Sequence, residues 1–354
     1  MKKIIFTGGG TAGHVTPNIA LMEKLYEEGG WEIHYFGTNG MEKELLAPYD
    51  FVAYHEISSG KFRRYFSLEN VTDMFRVIKG IFEAKREVRS VAPDVIFSKG
   101  GYVSVPVVMA AGKVPVVSHE SDYTPGLANR IASRFCDHIC VSFEDTLQYT
   151  KNGKGIHTGT PIRRELYAGD RERALRFTGF SGEKPVLMVM GGSLGALKLN
   201  ELVRNDLDTL LETFDIIHLC GKGKAEPALD GNKGYVQYEY IREEMSDLYA
   251  LADMLISRAG ANSVFEVLAL HKPTLLVPLT MASTRGDQLL NSRYFEKKGY
   301  GLWIDQNETT PESLTENVMK IWNDRARYAK TMEQETKADG TDAVLQVIKD
   351  AAGC

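Results

Sequence analysis

The stretch FTGGGTAGHVTPNIAL, Phe6 to Leu21, sets a histidine on a turn nearly stripped of side chains. Imidazole titrates near neutrality, so His14 suits either general-base work on a hydroxyl or hydrogen bonding to phosphate or sugar at a helix start. Gly8, Gly10 and Gly13 fit G-x-G-x-x-G, but the next strand, WEIHYFGTNG, ends in Phe36, Gly37 and Thr38. It lacks the acid that holds a nicotinamide ribose. Gly8 and Gly13 also have Walker-A spacing, yet His14 and Val15 stand where Lys and Ser or Thr would bind phosphate and magnesium. What remains is backbone able to approach a ligand closely and a helix N-terminus that favours an anion.

Three further glycine turns follow apolar strands: FSKGGYVSVP, MGGSLGA and SRAGANSVFE. Ser193 in the third could bind a phosphate oxygen through its hydroxyl and the N–H groups after it. In the fourth, Glu266 stands between Phe265 and Val267 on what reads as the opening turn of a helix. Its carboxylate could accept both hydroxyls of a ribose, or simply face water on an amphipathic helix. The Asp-x-Asp at Asp206 to Asp208 lies in a helical stretch away from any strand end, which argues against a metal site there. Cys136, His138 and Cys140 alternate like a strand without a second ligand pair, and the four cysteines are too scattered for a disulfide framework.

The elements that must position these residues come in order. KKIIFT, WEIHYFGT, PDVIFSKGG, VPVVSHES and DHICVSFED read as strands separated by helix-length segments, which predicts a doubly wound parallel α/β domain. The pattern restarts with KPVLMVMGGSLGALKLNELV, followed by FDIIHLCG, GYVQYEYI, ADMLISRAG and KPTLLVPL. Two similar domains are therefore expected, 1–163 and 164–339, joined at GTPIRREL, with a last helix, 340–354, crossing back over the first. Ligands would sit at the carboxyl ends of both sheets.

A length of 354 residues and 43% hydrophobic content suit two globular domains. The net charge of -5 gives no reason to expect nucleic acid. After Met1, only three consecutive apolar residues follow the two lysines, too few for a signal-peptide core, and Val103 to Val117 is interrupted by Pro106, Gly112, Lys113 and Pro115.

Together, GGGTAGHVTPNIAL, SKGGYVSVPVV, HESDYTPGLANR, GTPIRREL, GGSLGALKLN and SRAGANSVFEVLAL run in an order and spacing that resembles the bacterial UDP-N-acetylglucosamine:lipid I N-acetylglucosaminyltransferases of peptidoglycan synthesis. The resemblance covers nearly the whole chain. It implies the GT-B fold, two Rossmann-like doubly wound parallel-sheet domains facing a deep cleft, with the acceptor in the first and the donor mainly in the second. It implies an inverting transfer of N-acetylglucosamine to the C4 hydroxyl of lipid-linked N-acetylmuramic acid, without cofactor or metal. Another GT-B transferase with a different lipid or natural-product acceptor is the alternative.

By the same resemblance, donor contacts fall on Thr11, Ala12, Gly13, Arg163, Ser193, Ile241, Gln288 and the run Ala261, Asn262, Ser263, Val264, Phe265 and Glu266. Acceptor contacts fall on Gly100, Gly101, Tyr102, His119, Glu120, Asp122 and Asn129, and the base is His14 or Asp122. Three places depart from the family: Ala12-Gly13 replaces Gly-Gly, Asp287-Gln288 replaces a Gln pair, and His119-Glu120-Ser121-Asp122 replaces His-Glu-Gln-Asn. Asp122 matters most, because a carboxylate beside the acceptor could share or replace the role of His14.

Between Lys61 and Arg89 the chain holds eight basic and four acidic residues interleaved with aromatics. Arg64, Phe75, Lys79, Phe82 and Lys85 suit contact with an anionic membrane surface, though a solvated helix packed on a sheet would read much the same. With an undecaprenyl-linked acceptor, the resemblance favours a peripheral protein on the cytoplasmic face of the membrane, with cell-wall synthesis and division proteins as further partners.

Overall fold

The computed structural model describes residues 1–60, 68–192, 196–279 and 286–354, the side chains of 68–73 excepted. The chain divides into two compact units, Met1–Arg163 with Asp339–Cys354, and Arg164–Ala338.

In the first unit seven parallel strands, β1 (Lys2–Thr7), β2 (Trp31–Gly37), β3 (Val52–Glu56), β4 (Val95–Ser98), β5 (Val116–Glu120), β6 (His138–Val141) and β7 (Gly155–His157), lie in the order β3-β2-β1-β4-β5-β6-β7. Ile4, Ile5 and Phe6 are all buried, since a central parallel strand is covered on both faces and reads as an apolar run instead of an alternation. The strand order reverses between β1 and β4, whose registers end level, Thr7 against Ser98. Ser98 in turn faces Ser118 of β5.

The second unit repeats the plan with six parallel strands: β8 (Val186–Met190), β9 (Asp215–Leu219), β10 (Tyr235–Tyr238), β11 (Met254–Ser257), β12 (Thr274–Leu276) and β13 (Gly301–Trp303), ordered β10-β9-β8-β11-β12-β13. Here the reversal falls between β8 and β11, with Met190 against Ser257. The stretch around Asp206, expected as one helix, is two, Leu197–Asn205 and Leu207–Thr213, broken at Asp206. Its carboxylate accepts from Thr209 Oγ1 at 2.7 Å and Thr315 Oγ1 at 2.5 Å, which stabilises the break.

The helix Thr341–Ala351 belongs to the first unit. Val344, Leu345 and Ile348 enter the same core as Ile4, Phe6, Leu21, Phe97 and Val117. Asp339, placed by sequence at the end of the second domain, also goes with the first. Its backbone bridges Thr160, and its carboxylate accepts from Thr341 Oγ1 at 2.6 Å. Thr341 in turn accepts from Ile162 N–H at 3.0 Å. Leu345→Ala should lower the unfolding free energy of the first unit by roughly 2–5 kcal/mol, the range for emptying a fully buried leucine site. Urea denaturation checks this, and an unchanged midpoint would contradict the helix's place in that core.

Candidate functional site

The turn after β1 is bare for a reason that sequence did not supply. Gly10 has φ +82° and Gly101 has φ +80°, both left-handed. A Cβ on Gly10 would run into the Tyr102 ring. One on Gly101 would meet the Gly9 carbonyl and come within 2.8 Å of His14 Cδ2. The turns following β1 and β4 therefore interlock, and at these two glycines the missing side chains make room for Tyr102 and His14 instead of directly for a ligand. His14 closes a short 3₁₀ turn, Ala12–His14, ahead of the helix Thr16–Glu28. Thr11 and Ala12 are exposed, Gly13 and His14 half-buried.

Buried polar groups that the sequence did not single out fix this turn. Glu42, 1% exposed, accepts from Thr38 N–H at 2.9 Å, Thr38 Oγ1 at 2.5 Å and Gly10 N–H at 3.4 Å. Tyr35 Oη donates to Gly8 O at 2.7 Å, and Asn18 Nδ2 donates to Tyr35 Oη at 3.2 Å and Thr7 O at 3.3 Å. Burial pushes the Tyr35 phenol up, so it remains a donor.

At the ends of β4 and β5 the chain places ionisable groups out of water. Glu120 accepts from Asp122 N–H at 3.0 Å, Gly126 N–H at 3.2 Å and Asn129 Nδ2 at 2.7 Å. Burial, with Asp122 adding repulsion, raises its carboxyl to about 7. Lys99, directly before Gly100, donates from its ammonium to Ser121 Oγ. Burial lowers it to about 8 against the attraction of Glu120 and Asp122. His119 is fully buried, its Nε2 bound to Gly159 O at 2.9 Å, and burial with nearby Lys99 drives its pKa well down. It is a neutral imidazole tying β5 to the segment after β7. Of the expected acceptor residues, Tyr102, Asp122 and Asn129 are half-buried, while His119, Glu120 and Gly100 lie behind them. Arg163 closes the unit, half-buried.

In the second unit, Ser193 lies outside the described residues, as does Arg64 of the first. The helix Ala261–Ala269 starts at Gly260, directly beyond the end of β11. Val264 N–H is taken by Gly260 O at 3.0 Å, and the residues ahead of it, Ala261, Asn262 and Ser263, form the helix's positive end. The Val264 and Phe265 side chains are buried. Glu266 sits on the second turn of this helix, not the first, half-buried, with Tyr249 Oη donating to Oε2 at 3.4 Å. Gln288, near the start of the helix Asp287–Lys297, accepts from Leu279 N–H at 2.9 Å. Ile241 is half-buried in the loop after β10. Arg258, unremarked from sequence, is buried and donates to Val277 O at 2.7 Å and Gln306 Oε1 at 2.8 Å.

The helix Leu68–Val91 buries Val77, Ala84, Val88 and Val91 and exposes Met74, Phe75, Ile78 and Phe82. Lys79 and Lys85 are exposed beside them. Among the described residues no helix is long and apolar enough to cross a membrane.

The raised carboxyl of Glu120 makes a signed prediction. Above pH 7 the folded protein carries this charge at a cost the unfolded chain, with its value near 4.5, does not bear. As pH falls from 7 toward 4.5 the folded state takes up the proton first and the cost is relieved. The wild-type stability relative to Glu120→Gln should therefore rise across that window in urea titrations, and a difference flat in pH would contradict the assignment.

Residues 4–141 match the glycosyltransferase family 28 N-terminal domain and residues 186–347 its C-terminal domain. Proteins described as UDP-N-acetylglucosamine–N-acetylmuramyl-(pentapeptide) pyrophosphoryl-undecaprenol N-acetylglucosamine transferase are close relatives. That of Clostridium perfringens strain SM101 is 52% identical, covering 99% of this chain and 98% of its own. That of Geobacillus kaustophilus is 49% identical, covering 99% of each. The crystal structure of Acinetobacter baumannii MurG aligns with a TM-score of 0.76 at 25% identity, over 99% of this chain and 100% of that one. The calicheamicin glycosyltransferase CalG4, at 14% identity and TM-score 0.68, covering 100% and 98%, shares the fold. The chain belongs to glycosyltransferase family 28 and, within it, to the transferases that carry N-acetylglucosamine to pyrophosphoryl-undecaprenol-linked N-acetylmuramyl-pentapeptide.

Proposed function

We infer that the protein transfers N-acetylglucosamine from UDP-N-acetylglucosamine to the C4 hydroxyl of the N-acetylmuramoyl unit of lipid I, giving lipid II and UDP. The observation that carries this reading is identity of about half with the named transferases over essentially the whole length of both chains. A different GT-B acceptor would leave the second-unit donor elements in place, so the first-unit motifs around Tyr102 and Asp122 are what favour lipid I.

The C4 oxygen attacks the anomeric carbon as the bond from that carbon to the diphosphate oxygen breaks, inverting the centre. The hydroxyl proton passes to a base, and UDP leaves with the bonding pair. His14 is the preferred base because histidine is the side chain that most often serves as a general base, and Asp122 is the second candidate. The N-terminal turn of the helix Ala261–Ala269 offsets the diphosphate charge. Glu266 takes the ribose hydroxyls, while Ile241 and Gln288 flank uracil and sugar. In this scheme the helix start does the work a divalent cation would do, so chelators should leave turnover unchanged.

The apolar stripe of Phe75, Ile78 and Phe82 with Lys79 and Lys85 seats the protein on the anionic cytoplasmic leaflet that holds the lipid. Each exposed lysine adds about 1 kcal/mol at such a surface.

Incubation with labelled UDP-N-acetylglucosamine and a lipid I analogue should yield UDP and disaccharide-lipid in equal amounts. Donor binding without UDP release would instead mark a nucleotide-sugar sensor. His14→Ala should reduce kcat by roughly 10²–10⁴, the range for a general base, and more than Asp122→Asn does; unaltered turnover removes His14 from the role. Lys79→Glu with Lys85→Glu should weaken sedimentation with anionic vesicles, and undiminished binding would contradict the membrane face.

A further inference from the structure

The segment that follows β3 has no part in the reaction scheme, yet it touches both the helix that carries Phe75, Ile78 and Phe82 and the turn after β4. Ile57, buried, donates its N–H to Gly37 O at 2.8 Å, which pins the segment to the end of β2. Ser58 is clasped by the helix Leu68–Val91. Its N–H donates to Glu83 Oε2 at 2.7 Å, and a Cβ on Gly80 would run into its carbonyl. Glycine weakens a helix interior, and at position 80 what it permits is this close approach. Ser59, half-buried, donates from Oγ to Tyr102 O at 2.9 Å. Two adjoining serines therefore meet the helix on one side and the Tyr102 turn on the other. Gly100 and Gly101 both have left-handed φ, +91° and +80°, so that turn has wide backbone freedom of its own. The Gly101 carbonyl is held by Ser104 N–H at 3.3 Å and Ser104 Oγ at 2.9 Å. The Tyr102 carbonyl is held by Ser59.

We propose that Ser59 is a positioning residue for acceptor binding, and that the 57–60 segment is the brace through which the helix Leu68–Val91 holds the Tyr102 turn in its acceptor-ready conformation. The proposal rests on the transferase reading above, in which the motif around Tyr102 serves the acceptor. The Ser59 hydroxyl fixes the backbone of the residue whose ring lies against Gly10 of the turn after β1. With that bond gone, the glycine turn samples conformations that do not bind, and apparent acceptor affinity falls with the competent fraction. Saturating acceptor restores the competent form, so the loss falls on KM and spares kcat. Glu83 and Gly80 act one step back, by fixing Ser58. Because the same helix exposes Phe75, Ile78 and Phe82, the brace makes that apolar stripe and the Tyr102 turn one piece of structure.

The test is steady-state kinetics with UDP-N-acetylglucosamine and a water-soluble, short-chain lipid I analogue, which keeps membrane seating out of the measurement. Ser59→Ala should raise the acceptor KM about three- to tenfold, the effect of one net hydrogen bond, with kcat and the donor KM within about twofold of wild type. Ser59→Thr, which keeps a hydroxyl, should recover most of the acceptor affinity. Glu83→Ala should resemble Ser59→Ala, and Glu83→Gln, whose amide oxygen still accepts from Ser58, should resemble wild type. Gly80→Ala removes no hydrogen-bonding group and favours the helix, yet should raise the acceptor KM by pushing Ser58 away. Ser59→Ala/Glu83→Ala should fall short of the product of the single losses, because both break one brace. An acceptor KM unmoved in Ser59→Ala, recovery in neither Ser59→Thr nor Glu83→Gln, equal damage to donor and acceptor constants, or fully multiplicative losses would overturn the proposal. Should Gly80→Ala or Glu83→Ala fail to fold by circular dichroism, the two Ser59 variants decide. Wild type that releases no UDP with the analogue overturns the transferase reading itself, whereas active wild type with unmoved variants overturns only this inference.

Discussion

Both sheets are laid down from the middle. β1 and β8 come first in their units; the chain then adds strands outward on one side, returns and adds them on the other, through crossovers over opposite faces. At the reversal, the connections after neighbouring strands diverge, and the carboxyl ends of β1 with β4, and of β8 with β11, are left with turns that no crossover covers. His14, Lys99, Asp122 and the helix that carries Glu266 follow the ends of β1, β4, β5 and β11. The level registers of Thr7 with Ser98 and of Met190 with Ser257 turn that topological fact into a short distance.

What the strand ends hold is expensive. Lys99, Glu120, Glu42 and Arg258 are all buried, and each carries or can carry charge. A fold selected for stability alone would put apolar groups in such places. Their partners are largely backbone amides, carbonyls and short hydroxyls from adjacent turns, so the groups gain fixed orientation from the arrangement. The first unit puts its buried charge behind the turns that follow β1, β4 and β5. The second, on this account, offers a helix start and a half-buried carboxylate, Glu266, to a nucleotide.

The fold is legible in the sequence because buried parallel strands are apolar runs and glycine turns mark their ends. KKIIFT and KPVLMVM announce themselves in this way. Candidate site residues stand out only where chemistry and local pattern coincide, as at His14, Asp122 and Glu266. Lys99, Glu42, Tyr35 and Asn18 stayed hidden because a polar residue next to a strand reads as solvated; that its side chain turns inward is decided by residues dozens of positions away. The packing demand on the glycines was hidden for the same reason. Gly10 and Gly101 look like space for a ligand, yet each is required by a side chain from the other's turn. His119 likewise carries a reactive group whose partner, Gly159 O, is distant in sequence.

The division of labour between the two units is tested most directly by calorimetric titration of UDP into wild type, Glu266→Ala and Lys99→Met. The account predicts saturable binding to wild type, affinity weakened roughly tenfold or more in Glu266→Ala through loss of hydrogen bonds to a charged acceptor, and wild-type affinity in Lys99→Met. Undiminished binding by Glu266→Ala, or loss of binding in Lys99→Met, would contradict it.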